Sequence, residues 1–113
     1  DQFGCPTYAN DISKVIISFT NQILNGKDYR EIFHYSGYEK TTWYDFANEI
    51  LRQKKHFNHN IDCEIKPIKS CEYITPAKRP SYSVLDCSKI KKIEEIKLSD
   101  WRNAVKEVVA DLS

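Results

Sequence analysis

Three stretches of the chain space their apolar residues three and four positions apart, and only short extended patches lie between them. In the first, Ile12, Val15, Ile16, Phe19, Ile23 and Leu24 share one face and predict a helix from about Ala9 to Asn25. Thr7 is its candidate cap and Gly26 its stop. In the second, Trp43, Phe46, Ala47, Ile50 and Leu51 predict a helix that starts at Thr42 and gives way to a polar loop over Lys54–Asn60. Thr42-x-x-Asp45 has the form of a capping box at its start. The third stripe, Trp101, Ala104, Val105, Val108 and Leu112, predicts a final helix over Asp100–Leu112 with Ser99 as its cap.

Between the helices, Glu31–Ser36, rich in aromatic and β-branched residues, reads as a short strand, and Glu64–Ile68 as another, with Pro67 marking an edge or an early end. The strand-helix-strand order predicts that these two pair in parallel, crossed by the second helix. Ser70–Pro80 reads as a long connection, Tyr82–Leu85 as extended chain, and Cys87–Lys92 as one helical turn. The fold expected is a small α/β domain of three main helices and short, partly parallel strands.

At 113 residues the chain has room for one domain. Its 17 basic and 16 acidic residues nearly cancel, which excludes the one-sided basic surface of a nucleic-acid binder. The clusters Lys54–Lys55 and Lys89–Lys91–Lys92 read as solvated surface. No apolar run approaches a membrane span and no secretory leader is present, so a cytoplasmic protein without membrane contact is expected. The chain lacks methionine and opens on Asp1, which leads us to expect a segment of a longer polypeptide.

Reduced thiols are expected at Cys5, Cys63, Cys71 and Cys87, none of which has C-x-x-C spacing. His56, His59 and Cys63 could supply three metal ligands, but their Asn-rich loop offers no fourth, and no metal site is expected. Trp101 reads as core and His34 as a surface or internally satisfied histidine. The glycines Gly4, Gly26 and Gly37 are far apart, so no glycine-rich turn can admit a dinucleotide pyrophosphate. None of the seven tyrosines has a lysine four residues on, the helical pairing that would lower a phenol's pKa for acid–base work. No catalytic residue is assigned.

Three segments, in order, carry a resemblance: Asp1-Gln2-Phe3-Gly4-Cys5-Pro6-Thr7-Tyr8-Ala9-Asn10-Asp11-Ile12, then Ile32–Gly37 with Trp43-Tyr44-Asp45-Phe46-Ala47, then Arg79-Pro80-Ser81-Tyr82-Ser83-Val84-Leu85-Asp86-Cys87-Ser88-Lys89 with Trp101–Ala104. Together they resemble the carboxyl half of the dTDP-4-dehydrorhamnose reductases, extended short-chain dehydrogenases, over nearly the whole chain. The resemblance implies the C-terminal substrate-binding part of such an enzyme, partnered by its own N-terminal Rossmann domain. That domain would bind NADPH, with no cofactor held by these residues. The full enzyme would reduce the 4-keto group of a dTDP-sugar, giving dTDP-L-rhamnose, and the isolated segment would be inactive. A homodimer of the parent is left open. The β subunit of methionine adenosyltransferase shares these motifs, so a regulatory subunit without catalysis is the alternative.

Within that resemblance the candidate substrate contacts are Gln2, Pro6, Thr7, Arg79, Pro80 and Tyr82. Arg79 carries the most chemistry: a diphosphate is matched by the planar, multi-donor guanidinium, here beside the rigid Pro80. Lys78 is a weaker partner. Tyr82 could stack on a base or pack in the core, and Thr7 could face the ligand or only cap a helix.

Overall fold

The computed structural model describes residues 1–113 and contains three helices, α1 (Ala9–Leu24), α2 (Trp43–Phe57) and α3 (Trp101–Asp111), at the places where apolar periodicity puts them. Their ends differ from expectation. Tyr8, not Thr7, is the N-cap of α1, and its side chain makes no cap bond. Thr42 caps α2 as the sequence indicates, its hydroxyl accepting the Asp45 N–H at 3.0 Å while donating to the Asp45 carboxylate at 2.8 Å. α2 continues through Lys54 to Phe57, because the basic residues of its last turn complement the negative helix end. Asp100, not Ser99, caps α3, its carboxylate accepting from the N–H groups of Arg102 and Asn103.

Neither expected strand forms. Glu31–Ser36 is unpaired chain, although Phe33 and Tyr35 turn inward and His34 outward as an alternating pattern requires. Glu64–Ile68 is also unpaired. Pairing occurs instead between four two-residue strands: β1 (Phe3–Gly4), β2 (Gly37–Tyr38), β3 (Thr41–Thr42) and β4 (Ser99–Asp100). β1 and β3 are antiparallel, with Phe3 opposite Thr42; β2 and β4 are parallel, with Gly37 opposite Ser99. A parallel pair therefore exists, but its second strand lies just before α3. The turn within Cys87–Lys92 is a 3-10 turn over Ile90–Lys92, and another covers Ser70–Glu72.

Two small apolar nuclei hold the chain. Cys87, Ile90 and Ile96 form one beneath α1, with Val15, Phe19, Phe33 and Tyr35 packed on it. Trp101, Val105 and Val109 form the other, with Phe46 from α2 against them. On α3 the buried residue after Val105 is Val109; Val108 is partly covered and Leu112 faces solvent.

The radius of gyration is 17.3 Å, where a compact chain of this length has about 13 Å. An open body of this kind leaves whole helix faces uncovered. Ile12, Ile16, Ile23 and Leu24 of α1, and Trp43 and Ile50 of α2, are accordingly exposed rather than in the core.

Candidate functional site

Three separate segments meet at β1. On one side its backbone pairs with β3; on the other, Phe3 donates to the Ser81 carbonyl at 2.9 Å and accepts from the Ser83 N–H at 2.9 Å. The lead-in, the strand before α2 and the chain after Arg79 are thereby drawn into one three-stranded patch. The lead-in is fixed at its far end as well. The Thr7 hydroxyl accepts the Gly37 N–H at 3.0 Å and donates to the Cys5 carbonyl at 3.0 Å. Ser99, almost wholly buried, accepts the Tyr8 N–H at 3.1 Å and donates to Asp11 at 2.8 Å. Ser99 thus serves the start of α1, not that of α3.

Beside this patch lies a cleft of about 540 Å³, ample for a nucleotide-sized ligand. Gln2 and Arg79 line it, joined by Trp43 and Tyr44 of α2, by Tyr73, and by Lys66 and Lys69. Three cationic residues and one carboxylate, Asp1, line it; Asp1 is engaged by the Ser70 N–H and hydroxyl, and Lys66 stands 4.0 Å from the Glu64 carboxylate outside the cleft lining. The Gln2 amide donates to the Ser70 hydroxyl at 3.0 Å and so pins the Ser70–Glu72 turn against the lead-in. Arg79 is exposed and enters no salt bridge or hydrogen bond, so its five donors are free.

Pro6 and Thr7 line a smaller hollow of about 220 Å³, which shares Thr42 and Trp43 with the main cleft. Pro80 and Tyr82 line neither. The Tyr82 backbone bridges to Phe3, and the Lys40 ammonium sits over both rings, 5.4 Å from Phe3 and 5.7 Å from Tyr82. Of the six residues chosen from sequence, the structure gathers Gln2 with Arg79, sets Pro6 and Thr7 next door, and gives Tyr82 a structural contact.

Sequence reading missed Trp43, Tyr44, Tyr73, Lys66 and Lys69. Trp43 falls on the apolar stripe of α2 and so reads as core, while Tyr73 lies in a connection without periodicity. The one available signal was their composition: aromatic and basic residues recur on both flanks of the lead-in's partners.

Two partly buried groups bear on acid–base and nucleophilic work. Burial pushes the Tyr35 phenol and the Cys5 thiol above their ordinary values, which disfavours the ionised forms such chemistry needs. No group of three or more His, Cys, Asp or Glu residues is arranged to hold a metal ion, and His56, His59 and Cys63 form no such group.

The sequence matches the RmlD substrate binding domain family over residues 1–113. The chain belongs to this family. It is similar to a dTDP-4-dehydrorhamnose reductase of Aggregatibacter actinomycetemcomitans, 37% identical over 115 residues, which are 97% of this chain and 38% of that protein. Its fold matches the crystal structure of a dTDP-4-dehydrorhamnose reductase from Clostridium acetobutylicum with a TM-score of 0.82 at 30% identity, covering 99% of this chain and 36% of that one. A dTDP-4-dehydrorhamnose reductase from Bacillus anthracis, in complex with NADP, aligns with a TM-score of 0.75 at 22% identity over 100% of this chain and 36% of that one. At that identity the likeness is one of fold alone. The chain spans less than two-fifths of each relative's length.

The three glycines do not come together in one glycine-rich turn. Gly26, the one glycine with a left-handed backbone (φ +92°), follows a helix rather than preceding one. Gly4 and Gly37 lie in two-residue strands.

Proposed function

We propose that this domain holds the nucleotide-sugar of an NADPH-dependent 4-keto reductase that converts dTDP-4-dehydro-L-rhamnose to dTDP-L-rhamnose. The observation that carries the reading is the unpaired Arg79 guanidinium in a cationic cleft next to Gln2. A diphosphate accepts two parallel N–H bonds from such a fork, and Lys66 and Lys69 add unspecific attraction. Pro6 and Thr7 line the hollow that adjoins this cleft and belong to the same proposed site.

In this reading the domain positions its ligand and excludes water, and electron delivery belongs to a nucleotide-binding Rossmann domain in the same polypeptide. Fixing a substrate in reactive geometry is itself worth roughly 7–11 kcal/mol of barrier in favourable cases. A cytoplasmic setting goes with it, and no helix here is long and apolar enough to cross a membrane.

Steady-state kinetics of the reductase carrying this domain test the proposal. Arg79→Ala is expected to raise the KM for the keto-sugar nucleotide about tenfold or more, as loss of a charged hydrogen-bonding partner does. The KM for NADPH should stay within twofold. Equal effects on both substrates, or none, would remove Arg79 from the site.

A further inference from the structure

The most exposed aromatic side chains of the cleft are out of place for a protein surface. Trp43 is 61% exposed and Tyr73 68%, with Tyr44 at 39%, yet all three face one cavity together with Ala47, Ile65 and Ile68. Contiguous apolar surface of this sort marks a place where something binds. The Trp43 ring stands edge-to-face with Phe46 at 6.2 Å, and Phe46 stands likewise against the buried Trp101 at 5.7 Å. Trp43 is thus anchored to a core nucleus on one side and open on the other, the arrangement of a rigid stacking surface.

The charge pattern says which part of a ligand belongs there. The positive end of α2, where Trp43 sits, is already answered by the Thr42 hydroxyl and the Asp45 carboxylate. Anionic groups are therefore drawn to Arg79, Lys66 and Lys69, and the aromatic part of the cleft is left for a flat, largely uncharged group. A nucleoside diphosphate has both parts.

We propose that Trp43, with Tyr44 and Tyr73, is the platform on which the base of the bound nucleotide stacks. This rests on the reading of the cleft as a nucleotide-sugar site, and it adds a base subsite at the start of α2. Stacking on aromatic rings accepts any base, so the platform supplies affinity and orientation rather than a hydrogen-bonded readout.

The test uses the 113-residue chain, thymidine diphosphate and inorganic pyrophosphate. Because Trp101 is buried, nucleotide quenching of tryptophan fluorescence reports Trp43. In the wild type, thymidine diphosphate should quench this emission, and the thymine methyl proton should move upfield under the indole ring current. Trp43→Ala should weaken thymidine diphosphate about tenfold or more, Trp43→Phe only a few-fold, and neither should change pyrophosphate binding.

Tyr73→Ala, at an exposed position, provides a second variant that does not disturb the Phe46 contact. Unchanged thymidine diphosphate affinity in Trp43→Ala, or an unshifted thymine methyl signal in the bound wild type, would overturn the platform while leaving the cleft intact. Failure of the wild type to bind either compound would overturn the cleft reading, and the platform with it.

Discussion

Gly37 lies so near Pro6 that a Cβ on it would stand 2.0 Å from the Pro6 carbonyl oxygen. Both residues belong to segments that carry the family resemblance, and this contact explains why one of them is glycine. Backbone, not a flexible side chain, occupies the space. Gly37→Ala must therefore push the lead-in away from β2 and break the Gly37 N–H bond to Thr7. A loss of roughly 2–3 kcal/mol is expected, measured as a lower urea midpoint with an unchanged slope.

Ser99 joins β4 to the start of α1 through Tyr8 and Asp11. Ser99→Ala leaves a partly buried N–H and one carboxylate oxygen without their partner, and should cost about 1–2 kcal/mol. Thermal or urea unfolding measures it. Ser99→Thr, which keeps the hydroxyl but adds a methyl to a tightly packed position, should recover only part of the loss.

Asp11 gives this network a pH signature. Burial raises its pKa, but the hydrogen bonds from Lys14 and Ser99 outweigh burial and bring it below its ordinary value. The folded state thus binds the proton less readily than the unfolded chain. The resulting stability is fully present above the unfolded-state pKa and is lost as pH falls through the lower folded value. Asp11→Asn should be less stable than wild type at pH 7, with the difference shrinking below about pH 4. A difference that grew on acidification would contradict the assignment.

The helices were legible because each is specified locally: an apolar stripe of the right period, a cap at Thr42, a stop at Gly26. The strands were not, because each is two residues long and exists only through a partner far away in sequence. Phe33 and Tyr35 do point inward, so the alternation in Glu31–Ser36 was real. Nothing in a local pattern says whether such a segment finds a neighbour. The apolar stripe of α1 includes Ile12, Ile16 and Ile23, which the open shape of the chain leaves uncovered.

The site divided in the same way. Arg79 stood out because its chemistry is specific and Pro80 follows it. Gln2 stood out through the motif. Trp43 did not, since helical spacing assigns a tryptophan to a core and cannot show that its outer face borders a cleft. Lys66 lay in a supposed strand, and Tyr73 in a connection with no periodicity to give it a direction.

The chain alone should not oxidise NADPH in the presence of the keto-sugar nucleotide, because no tyrosine has the lysine that activates it and no glycine turn can seat the cofactor. Absorbance at the reduced-nicotinamide band measures this. Turnover above the buffer rate would show that the catalytic groups lie within these residues after all.

The most direct measurement is a nitrogen–proton NMR titration of the 113-residue chain with thymidine diphosphate. Saturable shifts confined to Gln2, Trp43, Lys66, Ser70 and the residues around Arg79 are predicted, and Arg79→Ala should abolish them. Shifts centred instead on the hollow between α1 and α3, around Lys14, Tyr35 and Asn103, or no shifts at millimolar nucleotide, would contradict the account.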